Sequence, residues 1–353
     1  LLRGTVSRFW RRPTRSVVHG FASSFRGLSE PVGLPHHRGT AMLPTMRVVV
    51  TGGAGYVGSV LVRQLLLEGH QVHVVDNLTF GGQSMMPLFI NPNFSFAKGD
   101  VRDKELLRNE LKDAEVVVHL AALVGYPLCK KLPDQAHDVN VGGTSNVIEC
   151  MPNDARLMYA STGSNYGEVS GICTEDTPLN PLSLYGQTKT RAEQMCLERG
   201  NSVGLRFATA YGLSPRPRLD LMINDFCWQA IHQRYLVVYE KHFRRTFIHV
   251  VDIARAMCHM IAKWETLQYQ VYNVGHESLN FTKEDIVHLI EKRVQFLVYF
   301  AEFGKDEDRR DYEVDYSRVR ATGFKTHIDI ERGLGELIEG LELLEIRNPY
   351  GNV

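Results

Sequence analysis

Tyr185-Gly186-Gln187-Thr188-Lys189 sets a phenol and an ammonium at positions i and i+4. On a helix those side chains share a face, with Cβ atoms roughly 5–6 Å apart. A tyrosine with its ordinary pKa of about 10 is a poor base at neutral pH. A lysine cation beside it stabilises the phenolate and lowers that pKa. The pair could then accept a proton from a substrate hydroxyl while a hydride leaves the same carbon. Upstream, Ser161 and Thr162 follow a strand-like run, Arg156 to Ala160, and a hydroxyl there could hydrogen-bond the reacting oxygen. Tyr-x-x-x-Lys alone also describes an ordinary surface helix, so its surroundings decide.

Those surroundings include Thr51-Gly52-Gly53-Ala54-Gly55-Tyr56-Val57-Gly58. A dinucleotide needs its diphosphate held by backbone N–H groups at a helix N-terminus, where the macrodipole favours anions. Side chains would block that approach, which explains glycine at positions 52, 55 and 58. A glycine string by itself is weak. This one follows a strand, opens a helix and is followed by a second strand ending in Asp76. A carboxylate there can accept hydrogen bonds from the adenosine ribose and would repel the extra phosphate of NADP, so the spacing favours NAD.

The elements that must carry these groups alternate along the chain. Arg47 to Val50 reads as a buried strand, Tyr56 to Glu68 as an amphipathic helix and Gln71 to Asp76 as a strand. Further strands are expected at Phe94 to Ala97, Glu115 to Leu120, Arg156 to Ala160 and Val203 to Phe207. Helices are expected at Lys104 to Leu111, Val141 to Cys150 and Leu184 to Arg199. This pattern implies an α/β fold, a Rossmann-type doubly wound parallel sheet covered on both faces. The alternation becomes irregular from Tyr211, which suggests a smaller C-terminal substrate lobe. Residues 46–210 would form the NAD-binding domain, with 245–275 returning to it through a late strand at Val271 to Gly275. Residues 211–244 and 276–353 would form the lobe and a terminal helix, Leu334 to Ile346. The charged stretch 302–313 reads as a solvated loop.

The 353 residues are 44% hydrophobic and 23% charged, ordinary for a globular protein, and the formal net charge is zero. No global field draws the chain to nucleic acid, and no apolar run is long enough to span a bilayer. The six cysteines show no metal-ligand spacing, so no metal is expected, and they read as reduced thiols. Residues 1–45 differ. Arg3, Arg8, Arg11, Arg12, Arg15 and Arg26 precede the first acid, Glu30, among frequent Ser and Thr. That is the composition of an organellar transit segment, which points to a mitochondrial location, with plastid or cytoplasm as alternatives.

With these motifs in order, the chain resembles the extended short-chain dehydrogenases/reductases, and among them the NAD-dependent sugar-nucleotide epimerase/dehydratase family. The likeness runs through the glycine motif, Asp76-Asn77, Gly99-Asp100-Val101, His119-Leu120-Ala121-Ala122 and Val139-Asn140-Val141-Gly142-Gly143-Thr144. It continues through Ser161-Thr162, Tyr185-x-x-x-Lys189, Arg245 to Ala254 and Tyr272-Asn273-Val274-Gly275. The resemblance implies a cofactor site of Gly52, Gly55, Tyr56, Val57, Gly58, Asp76, Asn77, Asp100, Val101, Leu120, Ala121, Ala122, Asn140, Tyr185 and Lys189. It implies Thr162, Tyr185 and Lys189 as catalytic residues, with Ser161, Thr162, Arg245 and Arg309 on a nucleotide-sugar-like substrate. Gly163 and Ser164 stand where the family's dehydratases carry an Asp-Glu pair, which disfavours dehydration. Three activities are compatible with the sequence: an epimerase working through a transient keto sugar, an NAD-dependent dehydrogenase or reductase of another alcohol, and a non-catalytic NAD-binding subunit of a mitochondrial respiratory complex. A homodimer or association with an organellar complex would accompany them.

Overall fold

The computed structural model describes residues 44–169, 171–267, 270–302 and 313–345. The N-terminal basic segment and Arg309 lie outside these. The strands in chain order are β1 Arg47–Thr51, β2 Gln71–Asp76, β3 Phe94–Lys98, β4 Val116–His119 and β5 Arg156–Thr162. They continue as β6 Ile172–Cys173, β7 Ser202–Phe207, β8 Thr209–Tyr211, β9 Tyr235–Tyr239 and β10 Arg244–His249. The last are β11 Gln270–Val274, β12 Asn280–Thr282, β13 Leu297–Ala301 and β14 Glu313–Val314. The helices are α1 Tyr56–Leu67, α2 Lys104–Leu111, α3 Tyr126–Lys131, α4 Pro133–His137, α5 Gly143–Cys150 and α6 Leu184–Arg199. They continue as α7 Met222–Trp228, α8 Val250–Ala262, α9 Trp264–Leu267, α10 Lys283–Glu291, α11 Ser317–Ala321 and α12 Ile330–Leu343.

Seven parallel strands form the main sheet in the order β11-β7-β5-β4-β1-β2-β3. The β-branched runs explain it, because a strand buried on both faces reads as unbroken valine. Val49, Val75 and Val117 pack with Leu107, Leu111, Val147 and Ala192. Their neighbours Val48, Val50, Val116 and Val118 pack on the opposite face with Leu61, Leu65, Ile253 and Met257. The strand order reverses between β1 and β4. In sheets of this kind the ligand crevice opens beyond the strand C-termini at that switch point.

A second core joins Phe226, Trp228, Leu236, Val238, Ile286, Ile290, Leu334 and Leu337. It underlies a three-stranded sheet, β12-β10-β8, and a parallel pair, β9 with β13.

Three expectations change. Residues 250–274 return to the first lobe, and Val314, Tyr316, Val319 and Phe324, expected in the second, join its core as well, while β10 pairs with β8 and β12 and leaves 245–249 in the second sheet. The helix expected from Val141 begins earlier, at α4, and runs through a π turn, Asp138–Gly142, into α5. The terminal helix starts at Ile330, where Asp329 caps the Arg332 N–H at 2.8 Å, and ends at Leu343.

Candidate active site

At the switch point lies a cleft of about 360 Å³. One wall is the glycine turn between β1 and α1. Gly52 has φ +75°, and a Cβ on it would stand 2.6 Å from the Ala121 nitrogen. A Cβ on Gly58 would stand 2.5 Å from the Gly52 carbonyl oxygen, so α1 could not close on the turn with any other residue there. Gly55 caps α1 with no side-chain hydrogen bond, which leaves the helix's first N–H groups to an incoming anion. Gly52, Gly55, Tyr56, Val57 and Gly58 all line the cleft. The geometry fits a dinucleotide diphosphate: bare backbone, a helix N-terminus and room where side chains would stand.

Further along that wall, Asp76 ends β2. Its carboxylate accepts from the Ala54 N–H at 3.0 Å and the Leu78 N–H at 2.8 Å, which braces it at the cleft edge. Burial raises its pKa, while the two backbone bonds and Arg216 act against that. Asn77 donates to Asp100 at 3.0 Å, and Arg102 grips the same carboxylate at 2.8 and 2.9 Å. Hydrogen bonds from Arg102 hold the Asp100 carboxyl well below the usual carboxylate range. Val101 lies under this edge against Gly143, where a Cβ would come within 2.5 Å of its methyl. Leu120, Ala121 and Ala122 line the floor.

The reacting groups meet at the far end. Ser161 and Thr162 are the last two residues of β5, and both line the cleft with Tyr185 and Lys189 of α6. Ser183 caps α6 by accepting from the Gly186 N–H at 3.1 Å, which fixes the turn that carries Tyr185. The Lys189 Nζ stands 4.1 Å from the centre of the Tyr159 ring. Burial pushes this ammonium down to about 7, against the pull of Cys196 and Glu193. Beneath it His119 bridges the Thr51 and Thr144 hydroxyls at 2.6 and 3.0 Å. Burial, helped by Lys189, pushes His119 down to about 3, so it remains a neutral hydrogen-bonding strut.

The likeness to known proteins agrees with this geometry. Residues 48–275 match the NAD dependent epimerase/dehydratase family. The chain belongs to that family. Among its relatives, a putative UDP-glucose 4-epimerase of Methanocaldococcus jannaschii is 29% identical over 312 residues, covering 84% of this chain and 98% of the relative. A UDP-glucuronic acid 4-epimerase from Bacillus cereus, solved with UDP-glucuronic acid and NAD, superposes with TM-score 0.75 at 25% identity, over 84% of this chain and 99% of that one. DesIV, a dTDP-glucose 4,6-dehydratase from Streptomyces venezuelae solved with NAD, superposes with TM-score 0.73 at 26% identity, over 83% and 96%. The protein is an NAD-dependent enzyme with the Rossmann-type sheet of this family.

Two residues expected at the site are not among those lining this cleft. Asn140 is buried in the π turn, where its amide bonds the Leu123 N–H and carbonyl at 2.7 and 2.9 Å and the Thr188 hydroxyl at 3.0 Å. It is outside the cleft lining and fixes the loop that lines it. A π turn such as this one often marks a functional position. Arg245 is buried on β10 and is likewise outside the lining of this cleft.

Other groups lie outside the glycine turn and the Tyr-x-x-x-Lys pair. Glu193, one turn beyond Lys189, forms a buried ion pair with Arg206 of β7 at 2.6 Å. Arg206 also donates to the Tyr166 hydroxyl at 3.1 Å, and Tyr166 donates to Asn273 at 2.6 Å. Asn165 links the pair to the cleft, donating to the Ser161 hydroxyl at 3.0 Å and to Glu193 at 3.4 Å. The sequence signal is a second i+4 step, Tyr185-Lys189-Glu193. Arg216, Arg218 and Phe80 also line the cleft, and Arg218 is paired with Asp220 at 2.5 Å.

Proposed function

We propose that the protein epimerises a nucleotide sugar through a transient keto form. One observation carries this reading: Thr162, Tyr185 and Lys189 share one cleft with a complete NAD cradle. Bound NAD supplies a reversible hydride acceptor. Tyr185 takes the proton from the sugar hydroxyl, and Lys189 stabilises the phenolate that does so. Thr162 holds the reacting oxygen by a hydrogen bond, and Ser161 stands beside it. The keto sugar turns over in the cleft, receives hydride on its other face, and regains a proton from Tyr185. No net oxidation results. Gly163 and Ser164 supply no acid to expel water, which separates this reading from dehydration.

The relatives' names support UDP-hexoses and UDP-hexuronates as first substrates to try. Purified protein with no added NAD is incubated with UDP-glucose and, separately, UDP-glucuronic acid, and the products are resolved by NMR. A C4 epimer with cofactor unconsumed supports the proposal. Oxidised product in step with cofactor consumption, or no turnover of either substrate, contradicts it. In the same reading the Arg-rich leader directs the enzyme to mitochondria. A reporter fused to residues 1–45 would then be imported, and a diffuse cytosolic signal would refute this.

A further inference from the structure

The segment Gly212 to Arg218 leaves β8 and reaches the cofactor cleft, where it is fastened to the cradle helix. The Tyr56 hydroxyl donates to the Gly212 carbonyl at 2.7 Å. The Ser214 hydroxyl lies 2.7 Å from the Tyr56 carbonyl, to which it donates, and 3.0 Å from the Ser59 hydroxyl. Asn224 closes the ring, accepting from the Gly212 N–H at 3.0 Å and donating to the Tyr56 hydroxyl at 3.3 Å. Ser214 and Asn224 are both buried. Ser214 also accepts from the Arg216 N–H at 3.3 Å, and Pro215 and Pro217 restrict φ on either side. A strap held at this many points delivers its next side chain to a fixed place.

That side chain is Arg216. Its guanidinium carbon stands 4.2 Å from the centre of the Phe80 ring, within cation–π range. Arg216, Phe80 and Asp76 line the same cleft, and Asp76 is bonded to Ala54 in the glycine turn. Burial and Arg218 push Arg216 down to about 10, more than Asp220 and Asp76 hold it up. The cradle opposite provides N–H donors and a macrodipole equivalent to roughly +0.5 charge, against the about two negative charges of a dinucleotide diphosphate. The helix alone leaves most of that charge uncompensated, and a planar fork of donors suits phosphate oxygens.

We propose that Arg216 binds the diphosphate of the bound dinucleotide, carried across the cleft by the strap that Tyr56, Ser59 and Asn224 hold down. This concerns the cofactor alone and does not depend on which sugar is turned over. The test is calorimetry on full-length protein stripped of cofactor, titrated with ADP-ribose and, separately, with adenosine. Losing one charge-assisted contact should weaken ADP-ribose about ten-fold or more in Arg216→Met, with adenosine changed less than about two-fold. Arg216→Lys should fall between, and Ser214→Ala should weaken ADP-ribose in the same selective way. Unchanged ADP-ribose affinity in Arg216→Met overturns the proposal. An equal loss for adenosine and ADP-ribose overturns it too, since the residue would then only shape the cleft. If Arg216→Met does not fold, Arg216→Lys and Ser214→Ala are judged by the same two ligands.

Discussion

The two sides of the cleft are built differently. The side formed by residues 51–58, Asp76 and Asp100 is made of backbone and of carboxylates braced from within residues 54–102. The side formed by residues 212–221, with the Glu193–Arg206 pair beneath the reacting groups, is held by side chains bonded across the fold. Tyr56 and Gly212 are 156 residues apart, and Asn165 and Asn273 both depend on partners in other elements. The first construction is local, so it tolerates change elsewhere and fails only when its own glycines or carboxylates change. The second is sensitive to any partner, because a buried charge left alone is costly.

The largest effect should come from removing the chemistry while leaving both sides standing. Tyr185→Phe should lower kcat by about 10²–10⁴ while NAD still co-purifies, as measured by product NMR and bound-nucleotide absorbance. Full activity would remove Tyr185 from the mechanism.

Next is the buried pair. Glu193→Gln leaves Arg206 charged and buried, at an expected cost of about 3–5 kcal/mol in denaturant unfolding. Adding Arg206→Met should recover much of it, and a loss under 1 kcal/mol in the single variant would show that the long-range side is not held this way.

A smaller effect is expected on the local side. Asp76→Ala frees the Ala54 and Leu78 N–H groups and removes the carboxylate that repels a 2′-phosphate. NAD affinity should fall about ten-fold or more, and NADP should gain relative to NAD in calorimetry. Unchanged preference would count against Asp76 as the selector.

A pH effect is also expected from Lys189, whose pKa falls from 10.5 to about 7 on burial. Below about 7 both folded and unfolded states carry the charge, and the folded state bears the full desolvation penalty. Between about 7 and 10.5 the unfolded chain binds more protons, so this group's contribution to stability rises with pH. Cofactor-free protein should therefore gain stability over that window relative to Lys189→Met, measured by urea unfolding. Parallel profiles would contradict the shift.

What could be read in advance follows the same division. The glycine motif and Asp76 depend on spacing within one βαβ unit, so the sequence displays them. Tyr185 and Lys189 needed only helical periodicity. The π turn at 138–142 could not be read, because the Asn140 bonds to the Leu123 loop that accompany it are tertiary. Arg216 was hidden for a related reason. Pro-Arg-Pro-Arg has no periodicity, and its anchor points on α1 are distant in sequence. Arg245 was located by its motif alone, and its place on β10 in the second sheet, outside the lining of this cleft, was not legible there.

In the proposed reaction one bound NAD accepts and returns the same hydride while Tyr185 moves the proton. It is tested most directly with UDP-glucose carrying deuterium at C4, incubated with purified protein in ordinary water without added cofactor. C4-epimerised product that retains the deuterium is expected. Epimer in which the label has been replaced by solvent hydrogen would contradict it.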